Sequence, residues 1–478
     1  MDAERAVIEP DELDDRAEEF LDSLRAAGMP DEAWKTIRDE AIDELNERYF
    51  VASLGGRSVI ASVIHDDALD RDRLVYSRPA DIKLQYNHRH IKVGVNVKGY
   101  DIIRDLGTAW IEAPRRRTYR QIALVPKGAC PPDVFNLWRG WGLEPASGEW
   151  PTIKDHLLTV ICSGNETYLE WLIGWMAYCV QYPERQAEVA VVLRGKKGTG
   201  KGMVGQLLMR IFRHHAIHIS NSKHLIGHFN SHLADGLFLF LDEALWAGDK
   251  AGEGILKALI TEKTLMIEPK GLDAFPMPNR LKILVSSNND WVVPATSDER
   301  RFFMLDVSDC KRGDKEYFET LAAAIEGGES QAFLDHLLTY DLSGWQHRSA
   351  PHTEALNEQK LTGADSVTRY WYDCLSIGEL IGCSLSESWP PDIPVQVLHA
   401  AYLDHARDHG DWHPATVEQM AKRLRKLMPD ENLITIRPRK AWGDLERPTR
   451  YQLKGLSEHR SAFEEAMNLP GHAWRDAE

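Results

Sequence analysis

Between Glu188 and Val307 the chain alternates apolar runs with amphipathic ones: AEVAVVLRG, a glycine-rich turn, GMVGQLLMRIFRH, GLFLFLDEA and RLKILVSSN succeed one another in that order. Apolar runs that end in polar groups are what strands buried on both faces of a parallel sheet present, and the spacing between them is helical. The pattern predicts an α/β core. Upstream, residues 10–48 show helical spacing (Leu13, Phe20, Leu21, Leu24, then Trp34, Ile37, Ile42, Leu45) interrupted at Gly28-Met29-Pro30, which predicts an acidic helical hairpin. From Tyr49 to about Val125, short β-rich runs (Val59–Ile64, Ile91–Val95) alternate with polar turns and lead into a Pro/Gly/Trp-rich loop region ending at Pro151, a small α+β module. Residues 153–182 return to long apolar helices stopped by Pro183, and 311–375 read as helices followed by a linker, Ser376–Pro394. Two further helices (395–409 and 415–428) precede two β-like runs, Asn432–Arg437 and Arg450–Leu453, which is winged-helix order.

Length and composition narrow the class. At 478 residues the chain exceeds one ordinary domain, and 43% hydrophobic with 27% charged residues is globular composition, against a disordered, collagenous or membrane protein. No stretch approaches the roughly 18 unbroken apolar residues of a spanning helix, and the acidic start MDAERAVIEPDELDD is unlike a signal peptide, so the expected compartment is the cytoplasm. Six scattered cysteines without a CxxC pair predict reduced thiols. The net charge of −16 argues against nucleic acid until it is mapped: residues 1–50 hold 17 acids and 6 bases, a net −11, so the rest is nearer neutrality.

The chemistry concentrates after the first predicted core strand. Gly195-Lys196-Lys197-Gly198-Thr199-Gly200-Lys201-Gly202 follows a β-run and opens a helix, the context in which a GxxxxGK loop cradles phosphates with backbone N–H groups, a helix N-terminus and one lysine. Gly195 to Met203 are therefore the expected nucleotide-binding residues, with ATP as the ligand. Gly202 stands where a Ser or Thr would put a hydroxyl on Mg²⁺, and Thr199 lies on the wrong side of the lysine to replace it. Downstream, Leu237-Phe-Leu-Phe-Leu-Asp242-Glu243 is an apolar strand ending in two carboxylates, Asp242 to hold Mg²⁺ and Glu243 to polarise the attacking water. Asn288, at the end of a further apolar strand, is the expected sensor of the γ-phosphate, although Asn288-Asn289-Asp290 also fits a plain turn. Arg300 and Arg301 offer a finger for a neighbouring subunit's site, and a surface salt bridge is the bland reading of either. The histidines between 214 and 232 lack zinc spacing and read as surface or core residues.

In order, the motifs GKKGTGKG, GHFNSHL, LFLFLDEA, LKALITEKTLMIEPKG, LVSSNN and ERRF resemble the superfamily-3 helicases, most closely the helicase half of phage and mobile-element primase-helicases, over roughly residues 155–310. The resemblance implies an AAA+-like P-loop NTPase core, flanked by an N-terminal α+β and helical region and a C-terminal winged-helix domain. It also implies Thr264–Gly271 as a hairpin with Lys270 near its tip on single-stranded DNA in a central pore, an arginine acting in trans, a ring, expected to be a hexamer, and 3′ to 5′ unwinding at a phage, prophage or plasmid origin or fork. The resulting divisions are 1–48 (acidic helical segment), 49–152 (α+β module), 153–187 (helical lead-in), 188–310 (ATPase core), 311–394 (helices and linker) and 395–478 (winged-helix-like unit).

In the last unit, residues 414–455 carry ten bases against five acids, and the helix 415–428 keeps Val417, Met420, Leu424 and Leu427 on one face with Lys422, Arg423, Arg425 and Lys426 largely off it. That layout fits a DNA recognition helix, and equally a solvated face of a domain that docks on protein. No metal-binding DxD-type primase site is visible before the core, so a separate primase or replication initiator is an expected partner. Two other functions fit the same residues: an ATPase switch or loader that does not unwind, and a non-catalytic DNA-binding scaffold, which Gly202 alone favours.

Overall fold

The computed structural model describes residues 33–67, 71–221, 230–243, 250–269, 273–293, 295–383, 389–428, 435–436 and 448–474. The first half of the expected acidic hairpin, residues 1–32, lies outside them; its second half is the helix Ala33–Arg48. This helix leads directly into β1 (Tyr49–Leu54), which pairs antiparallel with β2 (Arg57–Asp66) across a two-residue turn, Gly55-Gly56. Both glycines have positive φ (57° and 80°), the requirement of the tight turn that suits strand twist. β3 (Arg71–Ser77) and β6 (Thr118–Tyr119) complete a four-stranded sheet in the order β3-β2-β1-β6. Against it lie the helices Pro79–Tyr86 and Leu106–Glu112 and the hairpin β4 (His90–Val95)–β5 (Asp101–Asp105). Ile42, Leu45, Tyr49, Ile82 and Trp110 form their shared core, and the Trp110 indole N–H donates to the Asn46 side chain at 3.0 Å. A parallel pair, β7 (Gln121–Ala123) and β8 (Val134–Asn136), closes this region.

The pattern predicts long helices over 153–182. The structure instead has Pro151–Asp155 running into a π-helical turn, His156–Ile161, and then Glu166–Gln181 capped by the Asn165 side chain on Tyr168 N–H. The wider turn positions His156 beside the glycine-rich loop, the kind of location where π-helical turns serve function.

The core is a five-stranded, all-parallel sheet in the order β10-β11-β14-β9-β15, formed by β9 (Ala190–Arg194), β10 (Ala216–Ile219), β11 (Phe238–Asp242), β14 (Lys282–Ser287) and β15 (Phe302–Asp306). Its strands alternate strictly between two cores. Val191, Leu193, Phe238, Phe240, Leu284, Phe303 and Leu305 face one, together with the helices Lys201–Phe212 and Glu166–Gln181; Val192, Leu239, Leu241, Ile283, Val285 and Met304 face the other, with Lys250–Thr261. Because both faces are covered, the strands read as continuous apolar runs. Packing is close at Gly205, where an added Cβ would come within 2.4 Å of the Phe240 ring. Between β11 and β14 a separate antiparallel hairpin, β12 (Thr264–Ile267) and β13 (Phe275–Pro278), rises from the sheet.

After β15 come the helices Lys315–Glu326, Glu329–Thr339, Glu354–Thr362 and Ser366–Ile377. The last of these packs with the C-terminal elements rather than with its predecessors: Val367, Tyr370, Trp371 and Cys374 share one core with Leu398, Tyr402, Leu424 and Phe463. The stretch expected as linker also holds β16 (Asp392–Pro394), which pairs with β18 (Arg450–Gln452), itself paired with β17 (Thr435–Ile436). The helices Val395–Asp408 and Val417–Leu427 precede this ribbon, and Leu456–Met467, which the pattern does not predict, comes after it. Among the described residues no helix is long and apolar enough to cross a membrane. The six cysteines are unpaired, and burial pushes the thiols of Cys162 and Cys374 up to about 12.

Candidate active site

Sheet register brings the expected site together. Asp242 of β11 pairs with Ser286 of β14, and Ser287 of β14 with Arg194 of β9, so the ends of these three strands lie side by side. With neighbouring strands about 4.8 Å apart, the acidic end of β11 lies about 10 Å across the sheet from the start of the glycine-rich loop. Asn288, one residue beyond β14, sits in the gap.

The loop leaves β9 at Gly195 and enters the helix Lys201–Phe212 with Gly200 as its N-cap. Gly198 and Gly200 have φ of 81° and 93°, left-handed conformations that side chains resist. A Cβ on Gly200 would also lie 2.6 Å from the His156 ring and 2.8 Å from that of Phe318. Lys201 is buried, and its ammonium donates to the carbonyls of Gly195 (2.7 Å) and Lys196 (2.8 Å) and to Oδ1 of Asn288 (2.9 Å). Burial lowers its pKa, which Glu243 and Asp242 oppose. The amide of Asn288 turns its other end to Glu243, donating to the carboxylate. Lys201, Asn288 and Glu243 thus form one chain of charge-assisted contacts.

Glu243 itself has φ of 55°, a left-handed non-glycine residue, fixed by its N–H donating to Ser286 O at 2.9 Å. Such strain costs about 1–2 kcal/mol and persists where the surroundings over-determine it. Asp242 is partly exposed, and the His218 ring lies 3.8 Å from its carboxylate while stacking on Phe240. The carboxylate of Asp242 suits a hard cation such as Mg²⁺. Gly202 offers no ligand, but a Cβ there would meet nothing within 4 Å.

Sequence reasoning missed two residues around the loop. His156 accepts or donates at Tyr317 Oη (3.0 Å) and lies 3.3 Å from the Gly200 carbonyl, and burial pushes it down to about 4, so it is neutral. Arg194 clamps both oxygens of Asp306 at 2.6 Å and bonds Glu358. Beside it an open recess of about 640 Å³ is lined by Arg194, Gly195, Lys196, Asn288 and Asp306, among others. The π-helical turn that places His156 has no sequence signature, and Arg194, visible at the end of its apolar run, gives no local sign of its partners Asp306 and Glu358.

The two arginines lie elsewhere. Ala190 N–H donates to Arg301 O at the starts of β9 and β15, about 16 Å from Gly195 along a five-residue strand. Arg301 is held within the chain by both oxygens of the buried Glu299 (3.1 Å each), whereas Arg300 is exposed. Lys270, at the expected hairpin tip, lies outside the described residues, as do residues 271 and 272; the tip side of the hairpin is held by Arg57 on Asp273 (2.7 Å) and by Asn230 on Met266 O (2.8 Å). On the helix Val417–Leu427, Lys422, Arg425 and Lys426 are exposed and Arg423 reaches Asp365 at 3.3 Å. Arg450, counted with the basic set, is instead buried on Asp392. An exposed Trp412 precedes the helix.

Residues 193–301 match the model of a family of unknown function (DUF5906). The chain is 29% identical over 175 residues to a "DNA Primase-polymerase" of Nitratiruptor phage NrS-1, a match covering 36% of this chain and 24% of that protein, so the similarity spans about a quarter of the relative's length. The apo structure of the NrS-1 C-terminal region superposes with a TM-score of 0.57 at 19% identity, covering 83% of this chain and 96% of that one. A second apo form gives 0.57 at 18%, with 83% and 97% covered. These likenesses show a shared mixed α/β fold built on a parallel sheet.

Proposed function

We propose that this protein is an ATP-driven motor on single-stranded DNA, with an AAA+-like P-loop NTPase core, in the replication of a phage or related mobile element. The observation that carries the reading is the junction of Lys201, Asn288 and Glu243 beside Asp242, at the ends of three adjacent parallel strands. An ammonium held by loop carbonyls is poised to exchange them for β- and γ-phosphate oxygens, and the left-handed glycines let the backbone curl around the phosphates. Asp242 would hold Mg²⁺, which would offset the negative charge of the phosphates. Glu243 takes the proton of the water whose oxygen attacks the γ-phosphorus as the bond to ADP breaks. Asn288, bonded to both Lys201 and Glu243, aligns the base with the phosphate.

Arg300, exposed at the far end of the sheet from the loop, suits action in a neighbouring subunit's site, which favours a ring; Arg301 is engaged by Glu299. The hairpin β12–β13, with Lys270 beyond its described part, is the proposed grip on the DNA backbone. The helix Val417–Leu427 with its three-stranded ribbon supports a winged-helix reading, with Lys422, Arg425 and Lys426 on phosphates and Trp412 available for stacking. The named relative acts in DNA synthesis, which supports replication as the setting.

A second reading, a nucleotide-dependent switch or loader that does not unwind, fits the same nucleotide-site residues. Strand displacement on forks with 3′ or 5′ tails separates the two. The motor reading expects unwinding that Glu243→Gln abolishes while nucleotide still binds, and that Lys270→Ala abolishes while basal hydrolysis persists. Hydrolysis stimulated by DNA with no displacement on either fork favours the switch.

A further inference from the structure

The C-terminal unit carries a cluster of metal-ligating side chains that the proposed nucleotide chemistry does not use. His405 and His409 lie four residues apart at the end of the helix Val395–Asp408, so their rings stack on one face, with centroids 4.1 Å apart. Asp373, on the helix Ser366–Ile377, approaches from the other side, its Oδ2 2.9 Å from His405 Nε2. One ligand atom from each of the three lies within 4.8 Å of the others.

Two features distinguish this from a chance contact. His409 Nδ1 is 2.8 Å from the carbonyl oxygen of His405, so Nδ1 carries the proton and donates, leaving the Nε2 lone pair available. That outer bond is the one that orients histidine ligands in metal sites. His405 is buried, 8% exposed, with its Nδ1 lacking any partner, so its polar contact is made through Nε2 alone. The cluster also sits at the carbonyl end of a helix, where positive charge is favoured. His409 is exposed at the rim and gives an entry path.

We propose that Asp373, His405 and His409 bind one divalent transition-metal cation, zinc or one of similar softness, clipping the helix Val395–Asp408 to Ser366–Ile377. Two imidazoles and a carboxylate select against Mg²⁺ and Ca²⁺, which take oxygen ligands, and leave a fourth position for water. Ligand atoms on tetrahedral zinc stand about 3.3 Å apart, so the widest pair must close by up to about 1.5 Å while the 2.9 Å His405–Asp373 pair opens slightly. On binding, the His405 ring proton moves from Nε2 to Nδ1, where no acceptor waits, and Arg369 stands one turn before Asp373 with its guanidinium on Thr362 O. Both features place the site below a four-ligand structural zinc in affinity.

The test is a Co²⁺ titration of the full, tag-free chain after chelator treatment and desalting, read by visible absorbance, with Zn²⁺ as competitor. Wild type, His409→Ala and Asp373→Asn are compared, because other histidines and cysteines contribute background that all three share. The expected result is one more equivalent of Co²⁺, displaced by Zn²⁺, in wild type than in either variant, with a zinc-dependent rise in Tm confined to wild type. Since His409 is exposed, His409→Ala keeps the native circular dichroism; equal stoichiometry in that variant and wild type overturns the site.

Discussion

The Asn288 amide is the joint of the proposed catalytic set, because its oxygen accepts from the Lys201 ammonium while its nitrogen donates to the Glu243 carboxylate. Asn288→Ala removes the 2.9 Å contact with Lys201 and the bond to Glu243 together. A hydrogen bond to a charged group is worth about 1.5–3 kcal/mol, and the bond to Glu243 is the one that bears on the orientation of the base during attack. One such bond lost from the transition state corresponds to a fall of about 10- to 150-fold in kcat. Asn288→Asp keeps the acceptor for Lys201 but sets a second carboxylate against Glu243, so one of that pair takes up a proton more readily and the acid limb of the rate profile moves to higher pH. The assay is steady-state phosphate release at saturating nucleotide from pH 5.5 to 9, with fluorescent-nucleotide binding as the control for folding. A value of kcat for Asn288→Ala within threefold of wild type would refute the coupling of Lys201 to Glu243 through this amide.

Gly202 has open space where a hydroxyl ligand could stand, so Gly202→Ser should lower the Mg²⁺ concentration for half-maximal hydrolysis severalfold; an unchanged or raised requirement contradicts the assignment of Asp242 and position 202 to one ion. At position 243 the left-handed backbone makes Gly better than Ala by about 0.5–1 kcal/mol, after allowing for the greater freedom of glycine in the unfolded chain, the reverse of their order in a helix; urea unfolding of Glu243→Gly and Glu243→Ala, both inactive, measures it. Acid should destabilise the core through His215, whose neutral ring donates from Nδ1 to Asp235 O at 2.7 Å and accepts from Arg139 N–H at 3.0 Å. Its pKa is pushed down to about 4 by burial, so the unfolded chain binds the proton first: stability is constant above about pH 6.5 and falls between 6.5 and 4 by up to about 3 kcal/mol. His215→Gln should flatten that fall in a pH series of denaturation midpoints, and an unchanged slope would show that the ring titrates normally.

What the sequence made legible came from period and punctuation. The apolar runs of β9, β11 and β14 and the Gly/Lys loop after β9 identified the strands and their functional ends, since a buried parallel strand leaves only its terminus free for chemistry. Lateral order was not legible: that β14 lies between β9 and β11, and so delivers Asn288 to both Lys201 and Glu243, is a tertiary fact with no local signal. His156 escaped because an extra residue in a helical turn leaves the apolar spacing nearly unchanged while redirecting one side chain. The Ser376–Pro394 stretch read as linker because three residues of strand among prolines fall below any periodic signal, and β16 exists only through its partner β18. Counting charge overstated the basic tail, where Arg450 is consumed internally by Asp392. His405 and His409 carried a visible four-residue spacing, but their third partner, Asp373, comes from another helix.

The most direct test of the central claim is the rate of phosphate release from MgATP by the wild-type chain set beside Lys201→Ala and Glu243→Gln. Wild type is expected to show DNA-stimulated turnover, Lys201→Ala to lose both binding and turnover, and Glu243→Gln to bind tightly without turnover. Turnover by Lys201→Ala equal to that of wild type, or a wild-type chain that neither binds nor hydrolyses the nucleotide, would contradict the claim.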